Sequence, residues 1–205
     1  MPDLGLFIVT SALLAIAPGP DIVYVLTRGI AQGRKAGIAA ALGFATGCIF
    51  HTALAAFGVA ALIRSSDLAF DLVRYAGAAY LAWIGIQALR HASSFAVDAT
   101  GPSKTLSLIY RQSVIGNALN PKVTLFFLSF LPQFVNTAAG HVAWQMVLLG
   151  AVFMAVTFVV FVIYGVFAAA VRTKVFTRPR VVAWVRRSFG ATYLVLAGRL
   201  AAQTR

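Results

Sequence analysis

The 205-residue chain is 60% hydrophobic and 11% charged, whereas an ordinary soluble domain has about 45–50% apolar and about 25% charged residues. Its 17 Lys and Arg residues outnumber 5 acidic residues, all of them Asp, which gives a formal charge of +12. The basic residues lie between apolar runs rather than on one amphipathic face, so this charge does not indicate a nucleic-acid partner. The composition excludes a soluble domain and predicts an integral protein of the lipid bilayer.

Six apolar runs, each long enough to cross a bilayer, follow one another along the chain. They cover residues 4–26, 36–63, 68–89, 113–135, 142–171 and 181–202. The second and fifth runs exceed what a bilayer needs, which indicates tilt or extension beyond the membrane. We therefore predict an all-α membrane protein with six transmembrane helices in a single transporter domain.

The basic residues are concentrated in the connections after the first, third and fifth runs. These connections carry Arg28, Arg34 and Lys35, then Arg90, Lys104 and Arg111, and then Arg172, Lys174, Arg178, Arg180, Arg186 and Arg187. The positive-inside rule places all three basic loops in the cytoplasm and both termini outside.

An internal repeat divides the chain into two halves. The pattern G-A-x-Y-L-x-x-x-G occurs at residues 77–85 and again at 190–198. We expect a first half at 1–90, a cytoplasmic linker at 91–112 and a second half at 113–205. A unit of three spans enters the membrane in the opposite sense in its second copy, which predicts a 3+3 inverted repeat with a substrate site between the halves.

The first span is interrupted by Pro18, Gly19 and Pro20, which are followed by Asp21. Proline lacks the amide hydrogen that a helix needs, so this sequence predicts a broken helix. Gly19 is suited to ending the first half-helix and Pro20 to beginning the second. An acid at membrane depth indicates a functional site, although Asp21 could instead only cap the first turn.

The fourth span is interrupted by Asn120, Pro121 and Lys122. Asn120 is a good N-cap and Pro121 a good first helical residue. Lys122 then lies where the helix dipole opposes a cation, so it needs an anion. Asp21 and a substrate carboxylate are the two candidates, and snorkelling of Lys122 to the interface is the alternative. At about 1.5 Å per residue, Asp21 and Lys122 lie at similar depths, about 10 and 16 Å from the cytoplasmic side.

Together the two interruptions predict a site for a zwitterion, and hence an amino acid. Lys122 and the half-helix N-termini would bind a carboxylate, and Asp21 would bind an ammonium group. Asn117, Tyr24 and Thr124 lie near the interruptions and would line the cavity or join helices. Protons would enter through Asp21 and through His51, although hydrogen bonding to a neighbouring helix is the other role for His51.

Glycines spaced by four residues recur at positions 29, 33 and 37 and at 43 and 47. This spacing lets helix backbones approach closely and predicts packing rather than chemistry. A homodimer through these faces is compatible with the sequence, as is their use within one chain.

With these motifs the chain resembles the lysine-exporter (LysE/RhtB) family of bacterial amino-acid exporters, which includes threonine and homoserine exporters. The resemblance extends over the whole chain and is carried by residues 17–20, the glycines at 33, 37, 43 and 47, residues 79–85 and residues 116–122. It implies a six-helix exporter of the bacterial inner membrane that is driven by the proton gradient. It also implies that Pro18, Gly19, Pro20, Asn120, Pro121 and Lys122 frame the site, whereas the family varies at the position of Asp21.

The substrate class expected from the charges is the small neutral amino acids, such as threonine or homoserine, because Asp21 is the only acid clearly within a span. Export of metal cations or other small metabolites is the alternative. The chain has no Glu and a single cysteine, Cys48, which argues against a metal site and against a dithiol relay.

No nucleophile lies beside a base, so we expect neither an enzyme nor a bound cofactor. A membrane scaffold without transport would leave Asp21 and Lys122 without a purpose.

Overall fold

The computed structural model of the chain describes residues 4–17, 19–59, 67–90 and 102–171, and the single positions 187, 190–191, 194–195, 197–198 and 201–202. Within these ranges the regular structure is helical and no strand occurs. Pro18, the first of the two predicted helix-breaking prolines, lies outside the described residues, as do residues 91–101 of the predicted linker.

Seven α-helices are present in these described ranges. They are α1 (Leu4–Ile16), α2 (Pro20–Gln32), α3 (Arg34–Ala53), α4 (Asp67–Arg90), α5 (Leu106–Ala118), α6 (Pro121–Leu125) and α7 (Val142–Val171). A π-helical segment, Leu54–Val59, continues α3. Helix α6 continues through a π-helical segment, Phe126–Phe130, into the 3₁₀ turn Leu131–Phe134, and a second 3₁₀ turn, Thr137–Ala139, precedes α7.

Two of these helices are long and apolar enough to cross a membrane, Arg34–Gly58 and Val142–Ala170. Two pairs meet at a bend and pass the same test together: α1 with α2 at 62°, and α5 with Pro121–Phe134 at 46°. Large apolar side chains remain uncovered, including Phe57 at 78% and Leu119 at 76% exposure. Side chains of this kind suit a lipid surface, since soluble proteins seldom expose large apolar patches.

The helices predicted at 68–89 and 142–171 are present as α4 and α7, and of these two α7 is long and apolar enough to cross a membrane. Only single positions of the span predicted at 181–202 are described, so most of that span lies outside the structure.

The helix of the fourth span begins earlier than the sequence predicted. Helix α5 begins at Leu106 rather than at residue 113, so residues 106–112 of the predicted linker are helical. The Thr105 side chain accepts a hydrogen bond from Leu108 N and caps the helix. Hydropathy placed the boundary too late because Arg111 and Gln112 are polar although they lie within the helix.

The basic loop expected after the first span is also shorter than predicted. Arg28 lies inside α2, and Arg34 and Lys35 form the first turn of α3. Only Gly33 separates the two helices, with a φ of 82° that glycine adopts without steric penalty. The three cations therefore surround one tight turn.

The apolar core of the described residues has two parts, and the end of α1 contributes to both, through Leu14 and Ala15. One cluster contains six phenylalanines from α1, the α6 segment and α7, namely Phe7, Phe126, Phe127, Phe130, Phe134 and Phe153. The other joins α2, α3 and α7 around Ile22, Ala40, Phe44 and Phe161. Helix α3 lies at the centre of the second cluster and packs against α2, α5 and α7.

Small residues let the helix backbones touch. A methyl group added to Gly37 would lie 2.8 Å from Gly165 Cα on α7, and one added to Gly29 would lie 2.6 Å from Gly165 O. On the other side of α3, Gly43 meets the Tyr110 carbonyl and Gly47 meets the Asn117 side chain of α5. These glycine faces are used within one chain, so a homodimer would need another surface.

We expect Gly37→Ala to lower stability by about 1–3 kcal/mol, because the added methyl group overpacks two contacting backbones. The matched control is Gly116→Ala, whose methyl group would lie 3.7 Å from Phe44 and would add up to about 1 kcal/mol of helix propensity. Thermal unfolding of the detergent-solubilised variants measures both changes. Equal melting temperatures for the two variants would contradict the close contact of α3 with α7.

Candidate functional site

The two proline-containing segments meet through a buried ion pair. Lys122 Nζ lies 2.8 Å from Asp21 Oδ2, and the two side chains are only 6% and 2% exposed. The similar depths inferred from the sequence are therefore matched by a direct contact. Lys122 does not snorkel to an interface, and Asp21 is its anion.

The backbone around each partner is arranged to hold the pair. Lys122 Nζ also donates to Ala17 O at 3.3 Å, so it satisfies a carbonyl just beyond the end of α1. Tyr164 Oη on α7 donates to Ile16 O at 3.3 Å. Carbonyls at a helix end lack intrahelical partners, and these two side chains supply them.

Asp21 is held by its own helix and by the second segment. Its Oδ1 accepts from Ile22 N at 3.0 Å, and its Oδ2 accepts from Asn120 Nδ2 at 3.4 Å. A methyl group added to Gly19 would lie 2.5 Å from Asp21 Oδ1 and 3.0 Å from Lys122 Nζ. Gly19 has an extended backbone, with φ −153° and ψ 176°, so it matters here for close approach to the ion pair rather than for an unusual conformation.

The helix starts at both segments are as the sequence predicted. Asn120 is the N-cap of α6 and its Oδ1 accepts from Lys122 N at 3.1 Å, with Pro121 as the first helical residue. Pro20 begins α2 and Asp21 lies in its first turn. Gly19, however, is the N-cap of α2 rather than the last residue of α1, which ends at Ile16.

His51 is fully buried and joins α3 to the second segment. Its Nε2 lies 2.8 Å from Asn117 O, and its Nδ1 lies 3.4 Å from Thr124 Oγ1. Thr124 Oγ1 also donates to Asn120 O at 3.1 Å. His51 therefore bonds to a neighbouring helix, and its second nitrogen is linked through one hydroxyl to the residue that caps α6.

A cavity of about 10 Å³ adjoins the ion pair, which is room for about one water molecule. Its polar lining is Asp21, Lys122, Asn117 and Thr157, and apolar residues of both core clusters complete it. Asn117 Oδ1 and Thr157 Oγ1 are buried without a hydrogen-bond partner in the described part of the chain. Buried polar atoms are normally satisfied, so these two indicate that the cavity accommodates a polar guest.

The cavity lining differs from the predicted site at Thr157 and at Tyr24. Thr157 is missing from the predicted site, although it is the only polar residue between positions 146 and 163, and that isolation was the available signal. Tyr24 was predicted to line the cavity or to join helices, and its hydroxyl donates to Gln112 Oε1 at 2.8 Å, which joins α2 to α5. Tyr24 thus belongs to a separate polar group further along α2.

A family model described as "LysE type translocator" matches residues 12–204 of the chain. The chain therefore belongs to the LysE type translocator family. A leucine efflux protein of an Enterobacter species is 31% identical over 95% of this chain and 93% of its own length. A homoserine/homoserine lactone efflux protein of Salmonella typhimurium is 28% identical over 95% and 94%, and a membrane protein of Vibrio cholerae is 30% identical over 92% and 91%. No solved structure matches the chain.

Membership of the LysE type translocator family agrees with the helical structure and its exposed apolar surface, and the chain is a multi-pass membrane protein. At the cavity of this chain, the two interrupted segments and α7 bring together one carboxylate, one ammonium group, an amide and a hydroxyl. Such a set of groups can bind both ends of a small zwitterion.

We expect Asp21→Asn and Lys122→Met each to lower stability by about 3–5 kcal/mol, because each leaves one buried charge without its partner. The double variant, which removes both charges, should lose much less than the sum of the two. A double-mutant cycle on thermal unfolding measures the coupling. Additive losses would contradict a direct, buried ion pair.

Proposed function

We propose that this protein is a secondary transporter that exports small neutral amino acids, with Asp21 and Lys122 forming its substrate site. The observation that carries the proposal is the buried ion pair, 2.8 Å long, at the meeting point of two interrupted helices. Its two charged groups are those of an α-amino acid. In the substrate-free protein each side chain takes the place of one end of the substrate.

Substrate binding would exchange one ion pair for two. The substrate carboxylate would move onto Lys122, and its ammonium group would move onto Asp21. Asn120 would assist, because it already contacts both residues through its side chain. Neither buried charge is left without a partner at the end of the exchange, which avoids the large penalty of an unpaired ion.

The present cavity is too small for an amino acid, so binding requires the two segments to separate. We propose that the protein alternates access by moving one half against the other, as expected for a six-span, 3+3 inverted repeat. The two bends, one in each half, support two broken spans. Contacts between the two copies of the repeated motif also support it. Gly190 lies against Gly85 and Leu89. Leu194, Ala197 and Gly198 line one pocket together with Tyr75, Ala78, Ala79 and Ala82. The order of these contacts is antiparallel, which supports an inverted repeat.

Several features support the substrate class. Relatives of similar length are named for efflux of leucine and of homoserine, and both are amino acids with an uncharged side chain. Asp21 is the only acid among the residues that line the cavity, so a second ammonium group, as in lysine, would have no anion there. The named efflux relatives also agree with a protein that is not an enzyme.

We further propose that the protein lies in the bacterial inner membrane, with the three basic connections in the cytoplasm and both termini outside. The positive-inside rule supports this topology. The Gly33 turn, which is flanked by Arg34 and Lys35, and the start of α5 would then lie on the cytoplasmic side.

We expect inside-out membrane vesicles that contain the protein to accumulate labelled leucine, threonine or homoserine, but not lysine. Lys122→Ala should abolish the uptake, because it removes the group that binds the carboxylate. Lys35→Ala removes an exposed lysine on α3 and is the matched control. Uptake that survives Lys122→Ala at equal expression would remove Lys122 from the site, and a wild type that moves no amino acid would overturn the function.

Proton coupling is the second part of the proposal, with Asp21 as the proton acceptor and His51 as a relay. A proton on Asp21 would cancel its charge and release Lys122 from the pair. His51 Nε2 must carry hydrogen, because the Asn117 carbonyl can only accept. A second proton on Nδ1 would donate to Thr124 Oγ1, whose own hydrogen then stays on the Asn120 carbonyl. Protonation of His51 would thus complete a hydrogen-bonded chain to the α6 cap.

We expect amino-acid-driven proton movement in proteoliposomes to vanish in Asp21→Asn and to persist in Asp3→Asn, which removes a different acid. The pH dependence of export between about pH 5 and 8 should flatten in His51→Gln, since an amide does not titrate there. Proton movement that is unchanged in Asp21→Asn would rule out Asp21 as the coupling group. An unchanged pH profile in His51→Gln would leave His51 as a purely structural residue.

The alternative of a metal-cation exporter has no supporting observation. In the part of the chain that the structure covers, no three His, Cys, Asp or Glu residues come together. The experiment that would support a metal exporter is a growth test of a deletion strain on divalent metals. The strain would have to be sensitive to the metal, and the gene would have to restore its resistance.

A further inference from the structure

A second group of polar side chains lies where the C-terminal half of α2 meets Lys104 and α5. The positive-inside rule predicts that this end of α2 is on the cytoplasmic side. The group comprises Tyr24, Arg28, Gln32, Lys104 and Gln112, and we call it the Tyr24 cluster. Arg28 Cζ lies 5.4 Å and Lys104 Nζ 5.9 Å from the centroid of the Tyr24 ring. Two cations therefore share one aromatic ring.

Arg28 is buried without full use of its hydrogen-bonding groups. The residue is only 7% exposed. Its Nη1 donates to Gln32 Oε1 at 3.1 Å and, at 3.5 Å, to Pro102 O. Its Nε has no partner within the described residues, although a guanidinium group carries five donors.

Lys104 is held in place by neutral groups. Its Nζ donates to Gln112 Oε1 at 2.7 Å, and Tyr24 Oη donates to the same oxygen. Its backbone exchanges two hydrogen bonds with the Gln32 side chain, at 2.7 and 3.0 Å. The segment that contains Lys104 is thereby fixed against the end of α2.

Among the described residues, the acceptors in the Tyr24 cluster are amide and carbonyl oxygens, and none is an anion. Neither Arg28 nor Lys104 takes part in the ion pair between Lys122 and Asp21. A buried guanidinium group without an anion is unfavourable. Its planar fork binds the two oxygens of a carboxylate or phosphate side by side. The cluster therefore has the composition of an oxyanion site whose anion comes from outside these residues.

The position of the Tyr24 cluster relates it to the ion pair. Asp21, Tyr24 and Arg28 are spaced by three and then four residues, so they lie along one face of α2. Seven residues correspond to about 10 Å along a helix. A carboxylate bound at Arg28 would therefore lie about two helical turns from the Asp21–Lys122 pair, on the same face of the helix.

We propose that Arg28 and Lys104 form a cytoplasmic capture site, which binds the carboxylate of the amino-acid substrate before it reaches Lys122. This inference rests on the proposed function. The Tyr24 ring holds the two cations, and Gln32 and Gln112 orient them. Lipid phosphate has the same oxyanion chemistry. The substrate is favoured because Arg28 lies on the same face of α2 as Asp21, and Asp21 lines the internal cavity.

The transport experiment uses inside-out vesicles, in which the cytoplasmic face is outside, and measures the KM and kcat for L-leucine. Arg28→Gln should raise KM by about 10- to 100-fold, the value of charge-assisted hydrogen bonds, with kcat little changed. Arg28→Lys keeps the charge but loses the fork, so its KM should lie between those of the wild type and Arg28→Gln. Arg34→Gln removes an exposed arginine near the same turn and is the matched control. Equal KM values for Arg28→Gln and Arg34→Gln would overturn the proposal.

A binding experiment tests the site without transport. Potassium acetate should raise the melting temperature of the purified wild type and of Arg34→Gln, compared with potassium chloride at equal ionic strength, but not that of Arg28→Gln or Lys104→Gln. Stabilisation by vesicles containing phosphatidylglycerol, without any response to acetate, would assign the cluster to lipid and overturn the capture site. Acetate stabilisation that appears only after Asp98→Asn would identify an internal counter-ion and would also overturn it. A wild type that moves no leucine but keeps Arg28-dependent acetate binding would count against the proposed function alone.

Discussion

A carboxylate and an ammonium group in the interior of a membrane protein are stable only while they face each other. In this chain that requirement governs the local structure around Asp21 and Lys122. The two residues lie in the first turns of helical segments that begin at Pro20 and Pro121, about 100 positions apart in sequence. Gly19 leaves room for the ion pair, Asn120 contacts both partners, and the carbonyl of Ala17 completes the coordination of Lys122.

The same requirement connects substrate binding to conformation. Opening the pair without a replacement would leave two buried charges, at a cost of several kcal/mol. A zwitterion removes that cost, because it supplies one opposite charge for each side chain. In the proposed mechanism an amino acid is thus both the cargo and the condition for separating the two segments. The one-water cavity and the unpartnered oxygens of Asn117 and Thr157 mark where such a molecule would lie.

Sequence reasoning was most reliable where local chemistry alone determines structure. Proline and asparagine have intrinsic preferences at helix starts, so the roles of Pro20, Asn120 and Pro121 followed from residue type. A proline that interrupts an apolar span and is followed by a charged residue also predicted that Asp21 and Lys122 are functional residues. The pairing of these two charges was one of two options, because the distance between helices cannot be read from hydropathy.

Tertiary contacts account for what the sequence did not predict. The sequence left two roles open for Tyr24, lining the cavity or joining helices, and only the packing of α2 against α5 brings its hydroxyl to Gln112. Arg28 was assigned to a loop because a hydropathy boundary ignores the polar final turns of a helix. The start of α5 was missed for the same reason. Thr157 is distant from both interruptions in sequence, and only the packing of α7 brings it to the cavity.

Infrared difference spectroscopy of the Asp21 carboxylate is the most direct test of the central claim that the ion pair opens for substrate. The chain has only 5 acidic side chains, all Asp, so ¹³C-labelled aspartate gives few bands, and subtraction of the Asp21→Asn spectrum isolates one of them. Adding a transported amino acid should shift the Asp21 stretching band as its partner changes from Lys122 to the substrate ammonium group. An Asp21 band that stays unchanged at saturating substrate would contradict the account.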